Sequence, residues 1–160
     1  MTTYATLQTR DTATARTKSP ARYLPTAARV ALGLVFFVFG LMGLLSALGV
    51  IPMGQPSTPL PEGAAAFTAA VMKTGYLFAL VKGTETVAGA LLLSNRFVPL
   101  ALALVAPVVV NIVAFHAFLE PSGLGLAAVV LAAEVYLAWA YRRAYRPMLA
   151  MRATPGTPEP

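Results

Sequence analysis

Long apolar runs alternate along this chain with short stretches rich in proline, glycine and charge. The runs predict helices over about 27–50, 76–93, 97–119 and 124–142. The shortest, Tyr76–Leu93, rises about 27 Å as a helix, close to the hydrocarbon thickness of a bilayer. The breaks are equally plain. Pro52–Gly63 holds four prolines and two glycines, the composition of a loop. Ala64–Thr74 reads either as a short interfacial helix or as an extension of the second span, with Gly75 as the break. Ser94-Asn95-Arg96 is a link so short that the helices on either side are antiparallel neighbours. Glu120-Pro121-Ser122-Gly123 turns the chain once more. In the third run Pro99 falls in the first turn, where proline is tolerated, whereas Pro107 is internal and predicts a kink. The expected fold is all-α, a four-transmembrane-helix bundle over 26–146, between a disordered basic tail (1–25) and a disordered tail (147–160).

Composition agrees. Hydrophobic residues make up 58% of the chain and charged residues only 11%, about half of what a soluble domain carries. The +6 formal charge is placed by topology: ten of the twelve Lys and Arg residues flank the apolar runs. The N-terminal tail, Arg96, Arg142, Arg143 and Arg146 fall on one side, which the positive-inside rule makes cytoplasmic together with both termini. The expected location is therefore the cytoplasmic (inner) membrane, with lipid as the first partner. No helix-turn-helix or zinc-finger spacing is present, so no nucleic-acid partner is expected. The chain has no cysteine, which removes thiol redox chemistry and thiolate metal sites.

Against this background the polar residues inside the runs stand out. An intramembrane charge is costly, at least about 2.5–3.5 kcal/mol, and marks a functional position by default. Lys82 and Glu85 are three residues apart and share a helix face. Measured from the outer ends of their helices, Lys82, Glu85, Asn111, His116 and Glu134 lie at depths of about 9, 13, 12, 5 and 15 Å. Facing inward together, they form one polar cluster open to the outside. Lys82 can neutralise one of the two glutamates, and the other is a candidate proton relay. The same residues also serve as interhelical hydrogen-bonding groups if nothing binds. His116 is the single histidine, and no metal site is expected around it. Gly33, Gly40, Gly43 and Ala47 give the first helix a small-residue face for close helix packing.

The run Thr74-Gly75-Tyr76-Leu77-Phe78, then Glu85 followed by AGALLL, Asn95-Arg96-Phe97-Val98-Pro99-Leu100, and Ala106-Pro107-Val108-Val109-Val110-Asn111-Ile112 leading to Phe115-His116 resembles the DoxX family. The resemblance covers about Ala28 to Tyr145. It implies a small four-helix membrane protein associated with redox systems, such as a thiosulfate:quinone oxidoreductase subunit. Distant relatives include an assembly chaperone for receptor channels and the vitamin K epoxide reductase fold. Glu85, Asn111 and His116 match the family's characteristic polar positions, and Lys82 and Glu134 fall where polar residues are common. The lack of cysteine sets the chain apart from a thiol–disulfide mechanism.

Three functions follow as expectations. The first is an accessory subunit that binds a quinone or another small apolar molecule through Lys82, Glu85, Asn111 and His116, with no intrinsic cofactor and a partner oxidoreductase for the electron transfer. The second is a scaffold or assembly factor that meets another membrane subunit through its Gly40/Gly43 face. The third is a small transporter, which requires a homo-oligomer because four helices enclose little volume. Catalysis by the chain alone is not expected.

Overall fold

A computed structural model of the chain describes residues 23–54 and 58–149. Most of the two tails and part of the Pro52–Gly63 loop lie outside these residues. The described residues fold into α1 (Leu24–Ala47), α2 (Glu62–Lys73), α3 (Leu77–Leu93), α4 (Val98–Phe118), α5 (Leu124–Ala140) and the single turn α6 (Arg142–Tyr145). Short 3-10 turns occupy Pro121–Gly123 and Pro147–Leu149.

The helix ends follow local chemistry. Prolines occupy the first turns of α1 and α4, where no intrahelical N–H is needed. The end of α1 is closed by Gly49 at φ 72°, with the Gly49 and Val50 amides donating to the Ser46 and Leu45 carbonyls at 3.0 and 2.9 Å. Asn95, at φ 56°, closes α3 in the same way, its amide and that of Arg96 returning to Leu92 and Leu91. Both are Schellman caps, which need one residue in the left-handed region. Gly75, at φ 77°, ends α2, and the chain leaves it at 91° into α3.

The four long helices close a ring in the order α1, α3, α4, α5, with α1 packed most extensively on α3. The core between them is built from Leu32, Phe36, Ala88, Leu92, Ala101, Leu102, Val105, Val109 and Leu137. Outside it the usual polarity is reversed. Leu34, Val38, Phe39 and Met42 of α1, Leu100 and Val110 of α4, and Leu126, Val129 and Val135 of α5 are exposed, while Arg29, Glu85 and Glu134 are buried. An apolar exterior of this extent fits lipid rather than water. Three helical stretches, Leu24–Ala47, Val98–Phe118 and Pro121–Ala140, are long and apolar enough to cross a membrane. The bent pair α2–α3 adds a fourth if it counts as one broken span.

Several boundaries differ from expectation. The first helix starts at Leu24, inside the stretch read as a tail, and stops at Ala47 rather than Val50. Between the two readings of Ala64–Thr74, the structure takes the separate helix. Helix α4, by contrast, holds Pro107 inside one continuous element as the third run predicts; the missing proline N–H leaves the Ala103 carbonyl out of the helical ladder. At the far end of the bundle, the Tyr145 hydroxyl donates to the Pro99 carbonyl at 2.9 Å and ties α6 to the start of α4.

Candidate functional site

The site begins with how closely α1 and α3 approach. A Cβ placed on Gly40 would lie 2.7 Å from the Thr86 nitrogen and 2.8 Å from the Glu85 Cβ. On Gly43 it would meet the Lys82 stem at 2.6 Å, and on Gly33 the Leu92 and Leu93 side chains at 3.1 Å. From the other helix, Gly89 rests on the backbone of Phe36 and Phe37. As α1 ascends from 33 to 43, α3 descends from 93 to 82, an antiparallel seam in which Gly40 and Gly89 face main chain and Gly33 and Gly43 face side-chain stems. Such residues allow backbone-close packing where lipid offers no hydrophobic drive. Ala47 stands exposed at the end of α1 and is outside the seam. Because α3 covers Gly40 and Gly43, this face is not open to a partner protein. That corrects the surface expected for a scaffold.

The seam fixes the azimuth of α3. Glu85 is buried beside Gly40, and its Oε2 accepts from the Lys82 ammonium at 2.8 Å. Lys82 keeps 22% of its side-chain surface, against 5% for Glu85, and also lies 5.8 Å from the centre of the Phe78 ring. The Thr84 and Thr86 hydroxyls turn back to the Leu80 and Lys82 carbonyls of their own helix. They spend their protons locally. Lys82 has donors to spare beyond the one given to Glu85.

Beyond Lys82 a cavity of about 500 Å³ opens between α3 and α4. Leu77, Phe78, Val81, Lys82, Thr84 and Glu85 line it from α3, and Leu104, Pro107, Val108, Asn111 and Ile112 from α4. Phe67, Thr68 and Val71 of α2 complete it. Helix α2 can reach across because Gly75 permits the sharp bend and because its far end docks on α4. The Phe67 and Phe115 rings are 5.7 Å apart, and Gly63 sits against Leu119. Asn111 lines the cavity, is exposed, and makes no side-chain hydrogen bond to any described residue. The arrangement is an apolar chamber with one balanced ion pair and one uncommitted amide on its walls.

The other two sequence-derived candidates lie elsewhere, so the expected single cluster is divided. His116 and Glu120 are joined at the α4–α5 turn, Nδ1 to Oε2 at 2.9 Å. The Glu120 carboxylate also accepts from the Ser122 hydroxyl and, at 3.3 Å, from the Gly123 amide. These groups hold the Glu120 carboxyl below its ordinary range, Ser122 foremost, with Gly123 and then His116 adding to it. The His116 ring also covers Gly123. Its work is to close a turn.

Glu134 is buried on the inward face of α5 with Ala127, Val130 and Leu137, outside the cavity lining. Tyr145 is an electrostatic neighbour of Glu134; burial first, and the Glu134 carboxyl second, raise that phenol above its usual range. Depth along a helix was legible from residue numbers, but the two groups face different neighbours around the ring. Periodicity alone does not give that angle.

One residue that reads in sequence as a flanking charge is structural. Arg29 is 7% exposed, and its guanidinium donates to the Leu92 and Leu93 carbonyls at the end of α3. A signal for this exists: Arg29 is four residues before Gly33 and so shares the glycine face of α1. Among the described residues no group of three or more His, Cys, Asp or Glu side chains converges for a metal. No family model, curated protein or solved structure matches the chain.

Proposed function

We propose that the protein is a four-span membrane protein of the DoxX type, both termini cytoplasmic, that binds a small neutral lipophile in the α3–α4 cavity as an accessory subunit of a redox system. One observation supports this above the rest: the Lys82–Glu85 pair, packed on one side against the glycines of α1, also lines an apolar chamber. A purely cohesive pair gains nothing from a neighbouring cavity of about 500 Å³. Spare Lys82 protons and the Asn111 amide offer hydrogen bonds to a carbonyl or hydroxyl head group. Glu85 already balances the Lys82 charge, so a neutral head suits the site better than a carboxylate, which would face Glu85 at short range. A quinone has the required chemistry: two carbonyl acceptors on a flat ring, and an apolar tail. Having no cysteine, the chain's part is to bind and orient the molecule for a partner oxidoreductase. The basic side that gathers Arg96, Arg142, Arg143 and Arg146 supports this topology, on which the cavity would lie in the outer half of the inner membrane.

Native mass spectrometry of the protein released from detergent, with organic extraction of bound material, tests the reading. The expected result is one small neutral lipophile per chain, reduced in Lys82→Met and Asn111→Ala. His116→Ala and Glu134→Gln, altered outside the cavity, retain it. A chain that carries only another polypeptide favours the assembly-factor reading instead.

A further inference from the structure

The cavity does not end at the gap between its helices. Leu80, Thr84 and Leu104 also border a second, shallower hollow of about 390 Å³ on the outside of the bundle, floored by Ala79, Gly83 and Val87. Residues 79, 83 and 87 follow at four-residue steps and so lie along one face of α3, over about 12 Å of helix. Gly83 is the open point of that floor: a Cβ built on it meets nothing within 4 Å. Leu80 at the rim and Val87 at the end of the floor are 59% and 55% exposed, on the apolar exterior.

Three other approaches are narrowed. Helix α2 lies across the loop end of the chamber, held at Phe115 and Leu119. Behind α3 the glycine seam with α1 leaves no room even for a methyl group at Gly40. Toward Ser94, Leu92 and Ala101 are fully buried where α3 and α4 close on each other. The side between Leu80 and Leu104 is continuous with an exterior hollow.

We infer that this hollow is a lateral portal, through which a neutral single-tailed molecule dissolved in the bilayer brings its head to Lys82 and Asn111 and leaves its tail lying over Gly83. The inference rests on the cavity being a ligand site, and adds the route and the tail's seat. A shared wall makes the two hollows one path. Glycine keeps the floor low at the step where a tail must turn out of the bundle, and of the surrounding side chains Thr84 alone is polar, its hydroxyl proton already given to the Leu80 carbonyl.

Two probes and two variants test it in lipid nanodiscs: a benzoquinone with a ten-carbon tail, the same head without a tail, and Gly83→Leu beside Gly125→Leu. Gly125 on α5 is also in open space and serves as the control for adding an exposed leucine to a helix. Wild type and Gly125→Leu are expected to bind both probes. Gly83→Leu should bind the tailed probe about tenfold or more weakly, the scale of losing part of a tail's buried surface, with the tail-less probe unaffected. That retained binding also shows that the variant is folded. Unchanged affinity of Gly83→Leu for the tailed probe overturns the portal and leaves the cavity reading standing. Failure of folded wild type to bind either probe overturns both.

Discussion

Gly40 of α1 lies so close to Thr86 of α3 that a β-carbon on it would fall 2.7 Å from the Thr86 backbone nitrogen. Main chain cannot swing aside as a side chain can. Gly40→Ala must therefore push the helices apart, and overpacking of this kind costs about 1–3 kcal/mol. At Gly43 the obstacle is the flexible Lys82 stem, so Gly43→Ala should cost less and displace the ammonium instead. Thermal unfolding in one detergent should rank Gly40→Ala well below Gly43→Ala. Equal melting temperatures would remove the seam from the account.

The ion pair makes a prediction about non-additivity. Lys82→Met leaves the Glu85 carboxylate buried without its partner, at a cost of about 3–5 kcal/mol. The double variant Lys82→Met/Glu85→Gln removes the stranded charge, and replacing both members of a buried pair is often nearly neutral. The double should be more stable than the Lys82→Met single variant. A double-mutant cycle on unfolding free energies measures the coupling.

Arg29 closes the opposite end of the same helix pair. Arg29→Met keeps much of the apolar stem but takes two donors from the Leu92 and Leu93 carbonyls, a loss of about 1–3 kcal/mol for unsatisfied buried groups. Hydrogen exchange should quicken at the Asn95 and Arg96 amides, which return to Leu92 and Leu91, before it changes in α5.

The α4–α5 turn carries an acid dependence. The Glu120 carboxyl is held below its ordinary value of 4.5. A group depressed in the folded state contributes stability above its unfolded value, and that contribution is lost as pH falls through the folded value. The turn should therefore loosen below about pH 4.5, read as faster exchange of the Gly123 amide that donates to Glu120. In Glu120→Gln this acid step should vanish.

Much of the fold was legible because the signals are local. The apolar runs, the Gly75 break, the tight Ser94–Arg96 link and the Glu120–Gly123 turn each depend on a few adjacent residues. The glycine face of α1 was legible as well, since Gly33 and Gly40 are one heptad apart. What it packs against was not: those glycines found α3 of their own chain. The direction of α2 was also out of reach, because a glycine at φ 77° permits a bend without choosing its angle. The candidate site fared in the same way. Lys82, Glu85 and Asn111 meet at one cavity since the seam turns Glu85 inward and α4 turns Asn111 toward it. His116 is drawn off by Glu120 four residues away, and Glu134 faces the α6 end of the bundle.

The central claim, a small lipophile seated between α3 and α4, is tested most directly by photo-crosslinking. A benzoquinone bearing a diazirine beside its ring is irradiated with the wild-type protein in nanodiscs, and the labelled peptides are mapped by mass spectrometry. The account predicts label on 77–85 of α3 and 104–112 of α4, competed away by unmodified quinone. Label spread over the lipid-facing residues of α1 and α5, or label that no excess of quinone removes, would contradict it.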